Sequence, residues 1–333
     1  NRVFYSAGGA IEKNHLYGVK GTPRIGLTYV LVWPSSGKWM HGTRLRANVA
    51  TGVQEPSLYD EFYSLFGQLV QAGDSADVAA FHVTPIGPER SRTLDFGVDQ
   101  SIRGEKLVLK AGYFHNQFSH EIEYVDSGTL ANYFGIAPKQ DSGFFGAEVN
   151  SLAFRAQGIE AEIQWQPLAR LFVRGGYTYL DAVVERSFSS DAVAAKNGYA
   201  SMNPNIPGIA IGESPFVGAR PFRRPPHTGF FAVEYAGTKL TAGLTGALAS
   251  RSDDSTFLDY ADLAGTDSMI LPNRNLDFGY AKLDAHVTYA VMRRVTVFAQ
   301  LNNLLDQQHI GPIGYPALPF TVRAGLKVRI GGD

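Results

Sequence analysis

The chain of 333 residues contains no cysteine, no long apolar run and almost no net charge. Without cysteine, neither a disulfide framework nor a thiolate metal site can form. No stretch approaches the ~18 consecutive apolar residues that a membrane-spanning helix requires, so a helical membrane protein is excluded. The formal net charge of -1 provides no basic surface for a nucleic-acid partner, and none is expected.

Apolar and polar residues instead alternate with a period of two along most of the chain, which is the primary signal of β-strands. The clearest case is GIEAEIQWQ, residues 158–166, in which every second residue is apolar. In the closing segment Phe320–Ile330, one face is an unbroken apolar row and the other carries Arg323, Lys327 and Arg329. Counting from a first clear strand near Arg24–Leu31, the pattern predicts about eleven or twelve strands of bilayer-spanning length.

The lengths of the connections separate two all-β architectures, a soluble sheet with one wet face and a membrane barrel. Tight turns near residues 34–39, 103–106, 166–170, 236–239 and 291–294 alternate with long polar or Gly/Pro-rich segments at 53–91, 119–154, 185–226 and 250–279. In an up-and-down meander, every second connection lies at the same end, so one rim has tight turns and the other has large loops. This arrangement is typical of outer-membrane barrels. We therefore predict an all-β, antiparallel up-and-down transmembrane β-barrel with its charged faces in a wet interior.

Five segments of the chain resemble, in the same order, the C-terminal half of TonB-dependent outer-membrane receptors. They are GVQEPSLYDEFY (52–63), PERSRTLDFGVDQ (88–100), RAQGIEAEIQW (155–165), PFRRPPHTGFFAVEY (221–235) and FAQLNNLLDQQHIGPIGYPALPFTVRAGLKVRI (298–330). The resemblance implies a barrel of twenty-two strands whose lumen is filled by an N-terminal plug domain. Residues 1–333 would then be the C-terminal part of the receptor β-barrel, the second half of its strands, with the plug and the N-terminal strands absent.

The same resemblance implies a place in the outer membrane of a Gram-negative bacterium and a function in active transport, not catalysis. The parent receptor would bind a scarce nutrient, such as a ferric siderophore or cobalamin, and import it with TonB-derived energy. Its expected partners are the TonB complex, reached through the missing plug, the small-molecule nutrient, and outer-membrane lipid and lipopolysaccharide. No cofactor is expected, apart from the calcium considered below.

A second hypothesis is a self-contained twelve-stranded outer-membrane barrel that acts as a passive channel or a hydrolase. Even strand numbers from about eight upward close into barrels, so twelve is a permitted count. No G-x-S-x-G nucleophile elbow, phosphate-binding loop or dinucleotide fingerprint is present. The missing nucleophile motif counts against a hydrolase, and the family resemblance counts against a channel. The sequence therefore favours the receptor, and the self-contained barrel, as a passive channel or hydrolase, stays the alternative.

Aromatic and arginine residues provide two candidate ligand-binding sites. Tyr59, Phe62, Tyr63 and Phe66 have the spacing of one face of a short helix, which indicates either packing inside a loop or a stacking surface for a planar ligand. Arg220, Arg223 and Arg224 precede a predicted strand. They would either attract an anionic ligand or lipopolysaccharide phosphates, because guanidinium groups match such oxygens, or anchor the loop.

An acidic cluster in RSDDSTFLDYADLAGTD, residues 251–267, provides a third candidate site. Asp253, Asp254, Asp259 and Asp262 would supply oxygen ligands to a calcium ion, which accepts loop geometries. The alternative is a solvated outer loop that is acidic for solubility. The segment lacks the glycine and the bidentate glutamate of an EF-hand.

Overall fold

The alternation in the sequence becomes an antiparallel meander of strands in the computed structural model. The structure describes residues 1–15, 17–34, 39–127, 130, 146–188, 200–202, 210–212, 217–221, 223–253, 276–277, 279–307 and 317–331. Its elements are β1 (Val3–Asn14), β2 (Gly18–Val32), β3 (Met40–Gln54), α1 (Leu58–Tyr63), α2 (Leu65–Gln71), α3 (Ser75–Ala80), β4 (Glu89–Ile102), β5 (Leu107–Asp126), β6 (Gly146–Leu168), β7 (Leu171–Arg186), β8 (Ala200–Met202), β9 (Ala210–Gly212), β10 (His227–Ala236), β11 (Leu240–Ala249), β12 (Ser252–Asp253), β13 (Leu276–Asp277), β14 (Tyr280–Met292), β15 (Val295–Asn302) and β16 (Thr321–Val328). Twelve strands form one sheet in the order β1-β2-β3-β4-β5-β6-β7-β10-β11-β14-β15-β16, while β8–β9 and β12–β13 are separate short pairs.

The pairing registers place most of the apolar residues of the twelve strands on one face of the sheet. One row across the sheet pairs Leu27 with Ala47, Ala47 with Phe96, Phe96 with Tyr113, and Tyr113 with Ile159. Phe96 and Ile159 are each 54% exposed, so no protein layer covers this face. The predicted alternation is confirmed, and an uncovered apolar face is what a lipid-facing wall requires.

The opposite face is polar, and its charges pair from strand to strand. One row of residues on this face pairs Arg44 with Asp99, Asp99 with Lys110, and Lys110 with Glu162 across neighbouring strands. Several phenylalanines on this face lie directly opposite a glycine of the neighbouring strand, as Phe230 does opposite Gly176 and Phe298 opposite Gly325. Cations lie over both rings, with Arg174 at 5.3 Å from the Phe230 centroid and Lys327 at 5.4 Å from that of Phe298.

The two ends of the sheet differ as the sequence predicts. Residues 103–106, 169–170, 237–239 and 293–294 make tight turns at one end, which we call the short-turn end. Residues 55–88, 127–145, 187–226, 250–279 and 303–320 connect strands at the other end, the long-loop end. One connection breaks the rule: only three residues, 15–17, separate β1 from β2 at the long-loop end.

Two features of the strands differ from the sequence prediction. Strand β1 was not predicted, because its central Ser6–Ala10 segment consists of small residues whose alternation is weak, and its pairing with β2 defines it. The predicted loop 119–154 is partly strand, since β5 runs on to Asp126 and β6 begins at Gly146. These extensions pair with each other beyond the end of β4, and so rise above the rest of the sheet.

Just below these extensions the outward surface is already polar, which marks where the apolar band ends. Gln157 accepts a hydrogen bond from the Tyr113 hydroxyl at 3.1 Å and donates to Asp181 at 3.0 Å. Arg155 pairs with Asp181 at 3.1 Å, on the face that is apolar lower down. The parts of β5, β6 and β7 at the long-loop end therefore lie outside the predicted membrane.

The sheet is open. Strands β1 and β16 occupy its two edges, and they do not pair with each other in the described part of the chain. No helix among the residues that the structure describes is long and apolar enough to cross a membrane.

Candidate functional site

The long connection between β3 and β4 folds into a small cap of three helices beside β5 and β6. Ser57 begins α1 with a capping box, in which its hydroxyl accepts from the Asp60 amide and its own amide donates to the Asp60 carboxylate. Ser64 ends α1 and caps α2, accepting from the Gly67 amide at 3.0 Å. The loop is therefore a folded structure at the long-loop end of the sheet.

A hydrophobic cluster fixes the cap to the strand extensions. Its members come from the cap, from β5 and β6 and from the segments that follow β5 and β7: Leu65, Leu69, Val83, Val125, Leu130, Ala147, Val149 and Phe188. Leu65 and Leu69 are the buried residues of α2. Burial of such a side chain stabilises by about 1.5–3 kcal/mol, so the cluster holds the cap firmly.

The predicted aromatic set divides between two helices. Tyr59, Phe62 and Tyr63 lie on α1, with ring centroids 4.5 Å apart for Tyr59 and Tyr63 and 5.0 Å apart for Phe62 and Tyr63. These three rings are 42–62% exposed, whereas Phe66 on α2 packs against the hydrophobic cluster. The packing interpretation fits Phe66, and the other three rings form an exposed aromatic patch on the cap. Their binding to a ligand stays a prediction.

Buried polar contacts complete the support beneath the cap. The carboxylate of Glu123 is 8% exposed and accepts from the Ser187 hydroxyl at 2.6 Å, the Phe188 amide at 2.8 Å and the Ser151 hydroxyl. The Asn150 side chain donates to the carbonyls of Gly87 and His120 and accepts from the Gly87 amide. Sequence reasoning missed both groups, because their partners lie tens of residues apart in the chain.

Two further carboxyl groups in this region have raised pKa values. Burial raises the pKa of Glu148 to about 7, and the nearby charges of Asp60 and Glu123 add to the effect. Burial likewise raises the pKa of Glu121 to about 7, with a contribution from Glu89. Both lie in the extensions outside the predicted membrane, and in both cases burial favours the neutral form in the folded protein.

The three predicted arginines lie where the chain returns from β7 to β10. Arg220 donates to the Leu180 carbonyl at 2.7 Å, and this contact fits the loop-anchor interpretation. Arg223 and Arg224 are exposed, and Arg223 has a positive φ of 57°. The structure therefore assigns an anchoring contact to the first arginine and leaves anion binding by the set as a prediction.

The predicted calcium ligands fall mainly beyond the described residues. The backbone of Asp253 forms the short pair β12–β13 with Leu276, while Asp254, Asp259 and Asp262 lie outside the described part of the chain. Among the residues that the structure does describe, no group of three or more His, Asp or Glu side chains could hold a metal ion. The calcium site stays a prediction.

The polar face below the cap carries ion pairs at mid-strand height. Glu162 is approached by Lys110 at 3.6 Å and Arg174 at 3.2 Å, and Arg46 lies 3.4 Å from Asp99. Further along, His286 lies 3.2 Å from Glu234. This charged wall borders a recess of about 280 Å³ beside Gly112 and Gly176.

Comparison with protein families and curated proteins gave one match. The family model described as TonB dependent receptor-like, beta-barrel matches residues 3–304. No curated protein matches the chain in sequence.

Several solved structures share the fold. The ferric-catecholate import receptor Fiu of E. coli, in its closed form, has a TM-score of 0.54 and 17% identity over 93% of this chain and 35% of that chain. The siderophore receptor PiuA of Acinetobacter baumannii has a TM-score of 0.53 and 16% identity over 87% of this chain and 32% of its own. A point mutant of the ferric enterobactin receptor of Pseudomonas aeruginosa has a TM-score of 0.59 and 14% identity over 98% of this chain and 42% of that chain. The chain spans about a third of the length of the first two structures.

Proposed function

The chain belongs to the TonB-dependent receptor-like β-barrel family, and from this premise we propose that it forms half of the wall of a receptor that imports a scarce nutrient with TonB-derived energy. Members of this family are receptors and transporters of the Gram-negative outer membrane, and the chain accordingly lies in that membrane. Its polar face lines the lumen, its apolar face contacts lipid, and its long-loop end faces the outside.

The observation that carries this proposal is an open sheet of twelve strands with one uncovered apolar face. Unpaired backbone groups at a sheet edge cost several kcal/mol each in lipid, so β1 and β16 need partner strands there. A second set of strands, encoded with a plug in the same receptor, would supply those partners. The coverage of about a third of two receptor structures supports the same assignment.

We propose a ferric siderophore as the first nutrient to test, with cobalamin as the next. The chain resembles in fold two proteins described as a ferric-catecholate import receptor and a siderophore receptor. The aromatic patch of Tyr59, Phe62 and Tyr63 would stack on a planar group of the ligand at the barrel mouth. Arg223 and Arg224 would attract its anionic groups.

The alternative, a closed twelve-stranded channel or hydrolase, requires β1 to pair with β16. The described strands do not make that pair. No observation on the site favours hydrolysis, and we therefore do not propose it.

Uptake by cells that express the full-length protein tests the proposal. We expect accumulation of at least one member of a panel of ferric siderophores and cobalamin that is lost both without the protein and without TonB. Nonspecific uptake of small solutes that persists in the strain lacking TonB would identify a passive channel and contradict the proposal.

A further inference from the structure

A second pocket lies at the long-loop end of β14, β15 and β16, away from the aromatic patch and the three arginines. It has a volume of about 330 Å³. Its walls come from the starts of β14 and β16, the end of β15 and the segment that joins β15 to β16, and they include Tyr280, Lys282, Asn302, Leu318, Thr321 and Arg323. Lys282, Asn302 and Arg323 belong to the polar face, so the pocket opens toward the lumen.

A buried asparagine holds the walls of this pocket in place. Asn303 is 3% exposed, and its side-chain amide donates to the Leu318 carbonyl at 2.8 Å and to the Gln307 carbonyl at 3.2 Å. Its backbone amide donates to Asp284 at 2.7 Å. Asp306 then accepts from the Phe320 amide at 2.8 Å at the start of β16. Strand ends that are tied together in this way need little rearrangement when a ligand binds.

The charges within the pocket leave one cation available. Lys282 pairs with Asp284 at 3.0 Å, and the second Asp284 oxygen accepts from the Asn303 amide. The charge of Lys282 is therefore largely balanced, although its ammonium keeps donors for a further acceptor. The Arg323 guanidinium has no hydrogen-bond or ion-pair partner among the residues that the structure describes. Its donors form a planar fork that matches the two oxygens of a carboxylate or a similar anion. Leu318, which is 77% exposed, adds an apolar flank.

From this geometry we propose that the pocket is an anion-binding subsite in which Arg323, assisted by Lys282, grips an anionic oxygen group of a small molecule in the barrel mouth. The identity of the physiological ligand rests on the proposed function. Anion binding by the pocket does not depend on that function. The group has two anionic oxygens, as a carboxylate does, and an apolar part that contacts Leu318. A lipid phosphate would not reach it from the bilayer, because Val322 and Ala324, and not Arg323, occupy the lipid-facing row of β16.

Binding measurements on the purified full-length protein test this site without requiring transport. Citrate would be titrated calorimetrically, with inorganic phosphate and lipopolysaccharide in parallel. We expect Arg323→Gln to weaken citrate binding at least about tenfold, since a hydrogen bond to a charged group is lost. Arg323→Lys should retain part of the affinity, and Lys282→Gln should weaken binding by a smaller factor.

Lys327→Gln is the matched control, because Lys327 lies on the same strand and the same face but over the Phe298 ring, outside the pocket. Equal losses in Arg323→Gln and Lys327→Gln, or no citrate binding by the unaltered protein, would overturn the anion site. Binding of lipopolysaccharide in place of citrate would contradict the proposal that the ligand is a small molecule from the lumen. If citrate binds as expected but TonB-dependent uptake is absent, the proposed function fails and the anion site stands.

Discussion

At the scale of single residues, the inner wall depends on glycines that the sequence alone does not distinguish from turn glycines. A Cβ atom added at Gly158 would lie 1.9 Å from the Tyr179 carbonyl oxygen and 2.8 Å from the Phe114 ring. The same atom at Gly112 would meet nothing closer than 3.4 Å, a normal contact with the Phe96 carbonyl. Only the pairing register reveals this difference, because each neighbour belongs to another strand.

We therefore predict that Gly158→Ala destabilises the barrel and Gly112→Ala does not. A backbone carbonyl cannot move aside as a side-chain tip can, and overpacking of this kind costs about 1–3 kcal/mol. The Gly112 change should stay within about 0.5 kcal/mol. The temperature at which the folded full-length barrel loses its compact electrophoretic mobility measures both. Equal temperatures for the two variants would contradict the close contact at Gly158.

The two faces of the strands give a second prediction at the scale of residues. Because the chain contains no cysteine, each introduced cysteine can be labelled on its own. Single cysteines introduced on the apolar face should react in membranes with lipid-soluble reagents, and those on the polar face with water-soluble ones. The apolar set is Ile163, Val173, Leu283 and Val328, and the polar set is Glu162, Arg174, Asp284 and Lys327. Identical labelling of the two sets would show that the sheet does not divide lipid from water.

At the scale of elements, the cap couples its stability to pH. Glu121 on β5 and Glu148 on β6, in the strand extensions, have carboxyl pKa values of about 7 in the folded protein, against 4.5 for the free group. The folded state thus binds more protons than the unfolded state between these values. The stabilisation is complete below pH ~4.5 and is lost as the pH rises through about 7.

We predict that backbone amides of α1 and α2 exchange with solvent more readily at pH 8 than at pH 5.5, after correction for intrinsic exchange rates. Glu148→Gln should reduce this difference, because the amide side chain stays neutral at both pH values. Glu61→Gln, an acidic-to-neutral change on α1 itself, serves as the control. A cap that is more protected at pH 8 than at pH 5.5 would contradict the burial of these carboxyl groups.

The elements themselves differ in how far sequence predicts them. Strands such as β6 and β16 alternate bulky apolar with charged residues, so their faces and their membrane role follow from the pattern. Strand β1 and the upper part of β5 were missed, because small or polar residues become strand there through pairing with neighbours. Of the cap, the sequence predicted only a short helix, from the spacing of its aromatic residues. The polar contacts beneath the cap, made by Asn150 and Glu123, join residues far apart in the chain, which local patterns do not reveal.

At the scale of the whole molecule, the sheet is one part of a larger barrel wall in the proposed receptor. Its two edges, β1 and β16, would then meet strands that lie outside this chain. In a barrel of only these twelve strands, the same edges would meet each other. The distance between the two edges therefore separates the receptor from the closed channel.

Disulfide formation between the edges, in full-length protein in intact outer membranes, measures that distance most directly. One cysteine would replace Ala7 of β1, and a second would replace Val322, Ala324 or Leu326 of β16, so that several registers are sampled. Cysteines at Ala299 and Ala324, which are directly opposed in β15 and β16, are the positive control. We predict an efficient disulfide in the control pair and none between β1 and β16. A β1–β16 disulfide that forms as readily as the control would show a closed twelve-stranded barrel and contradict the account.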